Sequence, residues 1–443
     1  MSENDMTKTF KTSSVKARFP HPDQRTRGRF TAMKPQSQSI PAQPSQSLPQ
    51  QRGLLPIYCM SLGAFAIGTE GFMIAPLLPQ IAGDLALPVS QAAMLVTMFT
   101  LTLAISSPIL TVMTGALNRR NLLVGAMAIF AAANIVAWRS TGFSGIMAAR
   151  VLLALSAGLY LPNASALVGA IVAPDRRGRA LALVTGGATV AIALGLPLGS
   201  IIGHALGWRA TFLCVGVLAA IAALGLSFGI AKGAGNGIRV ASASERLRVA
   251  AQPAVVKALS LTFFWAMGAF TAYPFIAPYL QAVLDFGDEG VSGAVFVWGV
   301  SAAVGMVLGG SLNDRLGSSF VIGPALTLLA MAFLTLAASA AFLPPDRALI
   351  PVMVSIVVWG VSVWGFYPAQ MAQLISAGGA PAAPVTLSLN TSVMYIGFSV
   401  GSALGSALIM DHSVSAIGLA AAVAESIALV LFVLHRLRRP RNG

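Results

Sequence analysis

The chain has 443 residues, of which 56% are hydrophobic and only 9% are charged. Soluble globular domains carry about 25% charged residues, so this composition excludes an ordinary soluble domain and indicates a membrane protein. The net charge of +14 would suit nucleic acid. However, the basic residues lie in the tails and in alternate loops between apolar stretches, so we expect no nucleic-acid partner.

The first segment, residues 1–53, is polar and basic, with a Gln/Pro/Ser-rich stretch before the first apolar run. It holds too few apolar residues to fold alone, so we predict a disordered basic cytoplasmic tail. Met33 is an alternative start, which leaves translation of residues 1–32 open. An organelle-targeting segment is a second alternative, and the Gln/Pro composition argues against it.

Twelve apolar stretches follow, each long enough to cross a bilayer, which takes about 20 residues. Backbone groups in lipid must be paired within their own segment, and these stretches are too long for barrel strands. We therefore predict an all-α membrane protein with twelve transmembrane helices. The predicted spans, numbered 1 to 12, are 54–82, 89–113, 120–139, 143–171, 180–202, 209–231, 255–283, 291–312, 320–343, 350–375, 385–409 and 415–436.

Two short strings recur in the second half of the chain. Ile-Ala-Pro-Leu-Leu at 74–78 returns as Ile-Ala-Pro-Tyr-Leu at 276–280, and the string at 115–120 returns in similar form at 310–315. A membrane chain of two similar halves can alternate a central site between two sides by rocking one half on the other. The sequence therefore predicts a transporter, with the bundles and connecting segments at 54–231, 232–254 (a cytoplasmic linker), 255–436 and 437–443 (a basic cytoplasmic tail).

The loops differ in charge on the two sides of the predicted membrane. Lys and Arg are concentrated in the tails and in alternate loops, whereas the opposite side carries mainly acids such as Asp84, Asp285 and Asp346. By the positive-inside rule, both termini are expected in the cytoplasm, with the chain in the cell (inner) membrane.

Glu70 in span 1 is the most informative single residue, because a charge at mid-bilayer is costly and is usually functional. Burial favours the protonated carboxyl, so we predict that Glu70 exchanges a proton near physiological pH. The alternatives are a permanently neutral Glu70 bonded to a neighbouring helix and a permanent pair with Arg150.

Arg150 lies about 10 Å inside span 4. Arginine keeps its proton, so the predicted role is electrostatic: it stabilises deprotonated Glu70 or attracts an anionic group. Snorkelling to the interface is the alternative. A third intramembrane charge, Glu425 in span 12, is interpreted as a packing or oligomer contact rather than a proton carrier.

Glycines recur every four residues in spans 5 and 11, at 195, 199 and 203 and at 397, 401 and 405. Small residues at this spacing allow helices to approach closely, and Pro197 removes a backbone hydrogen bond. We expect spans 5 and 11 to pair the two bundles.

Most aromatic residues lie in the second half, particularly in spans 7 and 10. Aromatic walls suit flat, lipophilic solutes, although core packing and interface belts are the alternative for any one ring. Combined with polar groups that would orient a solute, they give the predicted substrate-binding set: Asn163, Tyr273, Trp364, Gln370 and Asn390.

In combination, several strings resemble the major facilitator superfamily, and within it the twelve-helix drug:proton antiporter branch of chloramphenicol exporters and arabinose-efflux permeases. They are Gly-Thr-Glu-Gly-Phe at 68–72, Leu-Pro-Gln-Ile-Ala at 78–82, Arg150, Gly-Leu-Pro-Leu-Gly at 195–199, Gly-Trp-Arg-Ala-Thr-Phe at 207–212 and Leu-Asn-Thr-Ser at 389–392. The resemblance implies two six-helix bundles and alternating access, and it implicates Arg150 in proton transfer. The string at 195–199 partly matches the antiporter motif, which favours export.

The resemblance also implies a gating loop of the form Gly-x-Leu-x-Asp-Arg after the second helix of each bundle. Its Asp would cap a neighbouring helix and its Arg would hold carboxylates. The second copy is intact, but Arg119 replaces the Asp in the first, where the alternative is that Arg119 and Arg120 only set topology. The predicted gating residues are Gly115, Arg119, Arg120, Gly195, Pro197, Gly199, Gly310, Asp314 and Arg315.

No catalytic constellation, metal-ligand spacing, cofactor motif or ATP-binding loop is present in the sequence, so we expect neither an enzyme nor an ATP-driven pump. The predicted function is export of a small organic molecule, drug-like or a sugar or metabolite, by proton antiport. The predicted partners are the substrate, protons and the lipid bilayer. A proton-linked uptake symporter of the same fold and, further off, a non-transporting membrane sensor are the alternatives.

Overall fold

The computed structural model describes residues 54–235, 241–410 and 413–437. The predicted basic tails at 1–53 and 438–443 lie outside them. Twelve helices in the described part are long and apolar enough to cross a membrane, which confirms the predicted all-α class. They are α1 (Leu55–Asp84), α2 (Val89–Met113), α3 (Arg119–Arg139), α4 (Phe143–Ile171), α5 (Asp175–Leu206), α6 (Trp208–Gly229), α7 (Pro253–Leu284), α8 (Asp288–Leu316), α9 (Ser318–Phe342), α10 (Pro345–Gly378), α11 (Ala383–Met410) and α12 (Val414–Leu437).

Two of these helices are interrupted at proline. In α5 a π-helical turn, Ala191–Gly195, lies just before Pro197. In α7 a 3₁₀ turn, Tyr273–Phe275, contains Pro274. Proline has no N–H for the regular ladder, so the chain changes its helical pitch there. Both interruptions lie where one bundle meets the other.

The linker between the bundles contains a short helix, Ala243–Ala250, which the sequence did not predict. Ser242 and Glu245 cap its first turn reciprocally in a capping box. The Arg246 guanidinium donates a 2.9 Å hydrogen bond to the Ser388 hydroxyl on α11. This helix therefore packs on the second bundle.

The helices pack extensively as α1–α6 and as α7–α12, and the two groups meet through α2 against α11 and α5 against α8. We call the end of the bundles where α1 begins and α12 ends the terminal end, and the opposite end the far end. On the α2–α11 side, the Ser406 hydroxyl donates to the Ser90 carbonyl at 2.6 Å, and the Thr97 hydroxyl donates to Ser402 at 2.9 Å. These contacts join the bundles in the far half.

The α5–α8 side carries a polar cluster at the far end. The Ser200 and Ser292 hydroxyls are 2.9 Å apart, and His204 Nδ1 is 3.0 Å from Ser292. His204 Nε2 lies 3.5 Å from an Asp288 carboxylate oxygen. The predicted span 5 ends at residue 202, but α5 continues to Leu206, so the His204 imidazole reaches α8 from a helix.

The glycine rows of α5 and α11 face helices of their own bundles. A methyl group at Gly199 would lie 2.8 Å from the Met73 side chain on α1. One at Gly397 would lie 2.6 Å from the Phe263 carbonyl on α7. The sequence predicted close approach correctly, but the glycines serve α1–α5 and α7–α11 packing. Helices α5 and α11 meet the other bundle through other residues.

Candidate transport site

Glu70 and Arg150 form an ion pair between α1 and α4, with Arg150 Nη1 2.7 Å from Glu70 Oε1. Both side chains are fully buried. The guanidinium also donates to the Leu95 carbonyl on α2 at 3.2 Å and lies over the Phe99 ring, 4.1 Å from its centroid. These contacts hold Arg150 inside the first bundle, so it does not snorkel to the interface.

The Glu70–Arg150 pair leaves one hydrogen-bonding atom of each side chain unused. Glu70 Oε2 and Arg150 Nη2 are buried and make no hydrogen bond within the described part of the chain. A buried charged pair offsets its desolvation cost only when its remaining donors and acceptors are satisfied. One open acceptor position on the carboxylate is therefore available to a proton, and one open donor position on the guanidinium is available to an acceptor.

A small aromatic cavity lies where α1 meets the second bundle, with a free volume of about 10 Å³, comparable with one water molecule. Phe72 of α1 contacts the rings of Phe270, Tyr273 and Trp364, with centroids 5.6–6.1 Å apart. The Tyr273 hydroxyl donates to the Phe72 carbonyl at 2.8 Å. Two of the predicted substrate residues, Tyr273 and Trp364, thus meet here, and the second bundle supplies most of the wall.

Phe72 follows Glu70 by two residues, so the ion pair and one residue of the cavity wall lie on the same helix, α1. Its role was not predicted, although it belongs to the Gly-Thr-Glu-Gly-Phe string. An aromatic residue beside an intramembrane acid was the available signal. Movement of α1 at Glu70 would also move this ring of the cavity wall.

Gln370 and Asn390 lie in a buried network inside the second bundle. Gln370 Nε2 donates to the Ala258 carbonyl at 2.6 Å and to the Thr262 hydroxyl at 2.9 Å. The Thr262 hydroxyl in turn donates to Asn390 Oδ1 at 2.6 Å. Neither predicted residue lines the aromatic cavity, and Thr262, which joins them, carried no sequence signal.

Asn163 meets Arg119, so a predicted substrate residue contacts a predicted gating residue. Arg119 Nη1 donates to Asn163 Oδ1 at 2.6 Å, and Nη2 donates to the Gly115 carbonyl at 3.1 Å. Arg119 is only 1% exposed, because Gly235 of the linker covers its stem. In the first copy of the gating loop, the arginine that replaces aspartate therefore binds α4.

Arg120 caps the last turn of α6, where it donates to the Ile230 carbonyl at 2.8 Å and to the Ser227 carbonyl. A cation is favoured at this end of a helix. In the second copy, by contrast, Asp314 and Arg315 are exposed. Within the described residues Asp314 accepts one 3.4 Å bond, from neighbouring Asn313, and Gly310 has nothing within 4 Å of its Cβ position. The intact motif does not cap a helix in this conformation.

The predicted motif at 195–199 lies at the contact between the bundles. The Ile192 carbonyl, in the π-helical turn before Pro197, faces Gly299 of α8, where a methyl group would lie 2.7 Å from that oxygen. Gly195 and Gly199 face the other way, toward Thr69 and Met73 of α1. The motif therefore contacts α1 on one side and α8 on the other.

Glu425 is buried in the middle of α12 against α7. Gly268 provides the space, since a methyl group there would lie 2.7 Å from Glu425 Oε1. Both carboxyl oxygens make no hydrogen bond to the described residues. No cation of the described residues pairs with Glu425, so this carboxyl differs chemically from Glu70.

Residues 60–389 match the sequence model of the Major Facilitator Superfamily. The chain belongs to this superfamily. It is 34% identical, over 64% of its length and 76% of the relative, to a chloramphenicol resistance protein of Streptomyces lividans. It is 26% identical to a probable sugar efflux transporter of Mannheimia succiniciproducens, over 87% of this chain and 94% of that one.

A solved structure shares the fold. A bacterial homologue of the human lysosomal transporter Spinster, in an inward-facing and occupied conformation, superposes with a TM-score of 0.71 and 19% identity. The match covers 89% of this chain and 98% of that one. The protein is thus a multi-pass membrane transporter of the superfamily, and its relatives include efflux proteins.

Proposed function

We propose that this transporter exports a small organic molecule in exchange for protons, by alternating access. The observation that carries the proposal is the buried Glu70–Arg150 pair, 2.7 Å apart, with Glu70 two residues before Phe72 of the aromatic cavity wall. A carboxylate with one open oxygen can bind and release a proton, whereas its arginine partner stays charged.

Proton binding and substrate binding are coupled in this proposal because Glu70 and Phe72 lie on the same helix, α1. Protonation of Glu70 would remove its negative charge and weaken its bond to Arg150, and α1 would then shift relative to α4. Phe72, carried on α1, would move with it and displace a substrate bound against the aromatic wall, so that proton and substrate occupy the transporter in turn. One proton crossing about 100 mV supplies ~2.3 kcal/mol, enough for roughly fifty-fold accumulation of a neutral solute.

The proposed direction of transport depends on which end of the bundles faces the cytoplasm. We infer from the charge of the loops that both termini are cytoplasmic and that the chain lies in the inner membrane. The far-end contacts of α2 with α11 and of α5 with α8 would then close the outer side. With the outer side closed, a substrate would reach the cavity from the cytoplasmic side, as export requires.

The proposal is tested by transport into everted vesicles with Glu70→Gln. We expect proton-driven transport to be lost, while exchange of substrate down its own gradient continues. Glu289→Gln is the matched control, because Glu289 is an exposed glutamate at the far end of α8. Proton-driven transport by Glu70→Gln at the wild-type rate would show that Glu70 is not the coupling site.

The same vesicles separate export from uptake. An inward-directed proton gradient in right-side-out vesicles should drive a pre-loaded substrate out. Accumulation of external substrate under that gradient would instead favour a symporter with the same carboxylate.

A further inference from the structure

Four tryptophans line the aromatic cavity, and each has an indole N–H without a hydrogen-bond partner. Within the described part of the chain, the Nε1 atoms of these residues are buried and unpaired; they are Trp265, Trp298, Trp359 and Trp364. Buried indole N–H groups normally find an acceptor. Trp208, at the far end, does so by donating to Asp84 at 3.3 Å. An unmet donor in a buried place is costly, so four in one cavity point to acceptors supplied from outside the protein.

The cavity wall carries no ionised side chain. Phe72, Ala269, Phe270, Val363 and Phe398 are apolar, and Tyr273 uses its own proton on the Phe72 carbonyl. The lining residues therefore include four indole hydrogen-bond donors, and no carboxylate is among them to attract a cation.

A positively charged ligand would otherwise be attracted by aromatic ring faces. Here several faces are already occupied by other rings. Trp265 stacks on Phe366 with centroids 4.8 Å apart, and Phe270 stacks on Phe398 at 3.6 Å. An ammonium group also cannot accept a hydrogen bond, so it would leave all four indole donors unpaired.

We propose that the transported substrates are flat aromatic molecules, neutral or anionic, that carry hydrogen-bond acceptors such as carbonyl, nitro or carboxylate groups. This inference rests on the proposed function, because it takes the cavity as the transport site. The substrate's ring takes the place of Phe72 against the second bundle when the bundles move, and its acceptors bind the indole N–H groups.

The test is calorimetric binding to the purified full-length protein in lipid nanodiscs, with four biphenyls that differ only in one substituent. They are 4-acetylbiphenyl, 4-biphenylcarboxylate, 4-ethylbiphenyl and 4-biphenylmethylammonium. We expect the acetyl and carboxylate compounds to bind at least tenfold more tightly than the ethyl compound, and the ammonium compound to bind more weakly than all three. An ammonium preference, equal affinities of acetyl and ethyl, or no binding of any compound at 1 mM would overturn the proposal.

Trp298→Phe and Trp359→Phe, singly and together, remove the donor and keep an aromatic ring. The preference for acetyl over ethyl should fall stepwise toward one, while affinity for the ethyl compound stays within about threefold and shows that the cavity is intact. Trp138→Phe on α3 is the matched control, because Trp138 lies outside the cavity and should leave the preference unchanged. An unchanged preference after all four tryptophans are replaced by phenylalanine would also overturn the proposal.

The two proposals fail separately, because this binding requires no proton gradient. Acceptor preference together with proton-driven transport by Glu70→Gln would overturn only the coupling role of Glu70. Loss of acceptor preference together with proton-dependent transport that needs Glu70 would overturn only the substrate class.

Discussion

α1 and α7 hold corresponding places in the two bundles and share the Ile-Ala-Pro string, yet they differ at their centres. α1 is continuous through Pro76 and Pro79, and it carries Glu70 paired with Arg150. α7 breaks at Tyr273–Phe275 and presents Tyr273 to the aromatic cavity instead of an acid. The two bundles therefore share a helical scaffold but differ in function-bearing side chains: the first carries the ion pair, and the second carries most of the aromatic wall.

The duplicated gating loops differ in the same way. Arg119 and Arg120 in the first copy are bonded to α4 and α6, whereas Asp314 and Arg315 in the second are exposed. In the first bundle, hydrogen bonds from these two guanidinium groups to amide and carbonyl oxygens therefore hold the loop in place. The second copy keeps the Asp and Arg of the motif that the resemblance implies for gating, but both side chains are exposed.

The largest expected effect comes from breaking the buried pair. Arg150→Met should destabilise the protein by about 3–5 kcal/mol, because it leaves the Glu70 carboxylate buried without its partner. Unfolding in dodecyl sulfate measures the change. Combining it with Glu70→Gln should recover most of that stability, and an additive double variant would show that the two side chains are not energetically coupled.

The gating loops should differ in their contribution to stability. Arg120→Ala removes charge-assisted bonds to two carbonyls of α6 and should cost about 1.5–3 kcal/mol. Arg315→Ala, at the equivalent exposed position, should stay within about 0.5 kcal/mol. The same unfolding assay compares them, and equal losses would contradict the asymmetry.

The glycine rows offer a smaller contrast. At Gly401 a methyl group would meet α7 backbone, including the Thr271 nitrogen at 2.9 Å, whereas at Gly203 it would meet the terminal methyl carbons of Leu77 on α1. Gly401→Ala should therefore destabilise by about 1–3 kcal/mol, and Gly203→Ala by less. A larger loss for Gly203→Ala would show that the first bundle is the more tightly packed.

The smallest effect is expected at Glu425. It has no cation partner in the described structure, so the neutral form should predominate and Glu425→Gln should change proton-driven transport less than twofold. Everted-vesicle transport beside Glu70→Gln is the measurement. Loss of proton coupling in Glu425→Gln would assign part of the proton handling to the second bundle.

Much of the fold follows from local composition. Each predicted span corresponds to one observed helix, with ends that differ by a few residues. The thickness of the bilayer sets the length of a span, and backbone groups in lipid must form hydrogen bonds within their own helix, so few alternatives exist. The linker helix was missed because only eight residues form it, and its capping box is its main local signal. The π-helical turn at Ala191–Gly195 was missed for a related reason: Pro197 predicts a disturbance but not its form.

For the candidate site, the sequence was informative about residue type and weak about partners. Glu70 and Arg150 stood out because charges inside apolar spans are costly. Their contact, by contrast, depends on how α1 packs against α4. Gln370 and Asn390 looked like substrate ligands by the same reasoning, yet Thr262 joins them into a network inside the second bundle.

By itself, the sequence determined a twelve-helix membrane transporter with two related halves, and a glutamate and an arginine inside the spans of the first half. These properties depend on hydrophobicity, length and charge, which act locally along the chain. Only the tertiary structure decided which faces meet: that the glycine rows pack within bundles, that Phe72 joins the second bundle in an aromatic cavity wall, and that four indole N–H groups of this wall have no partner among the described residues. Helix faces pair through side-chain shape across elements distant in sequence, and no local pattern encodes that pairing.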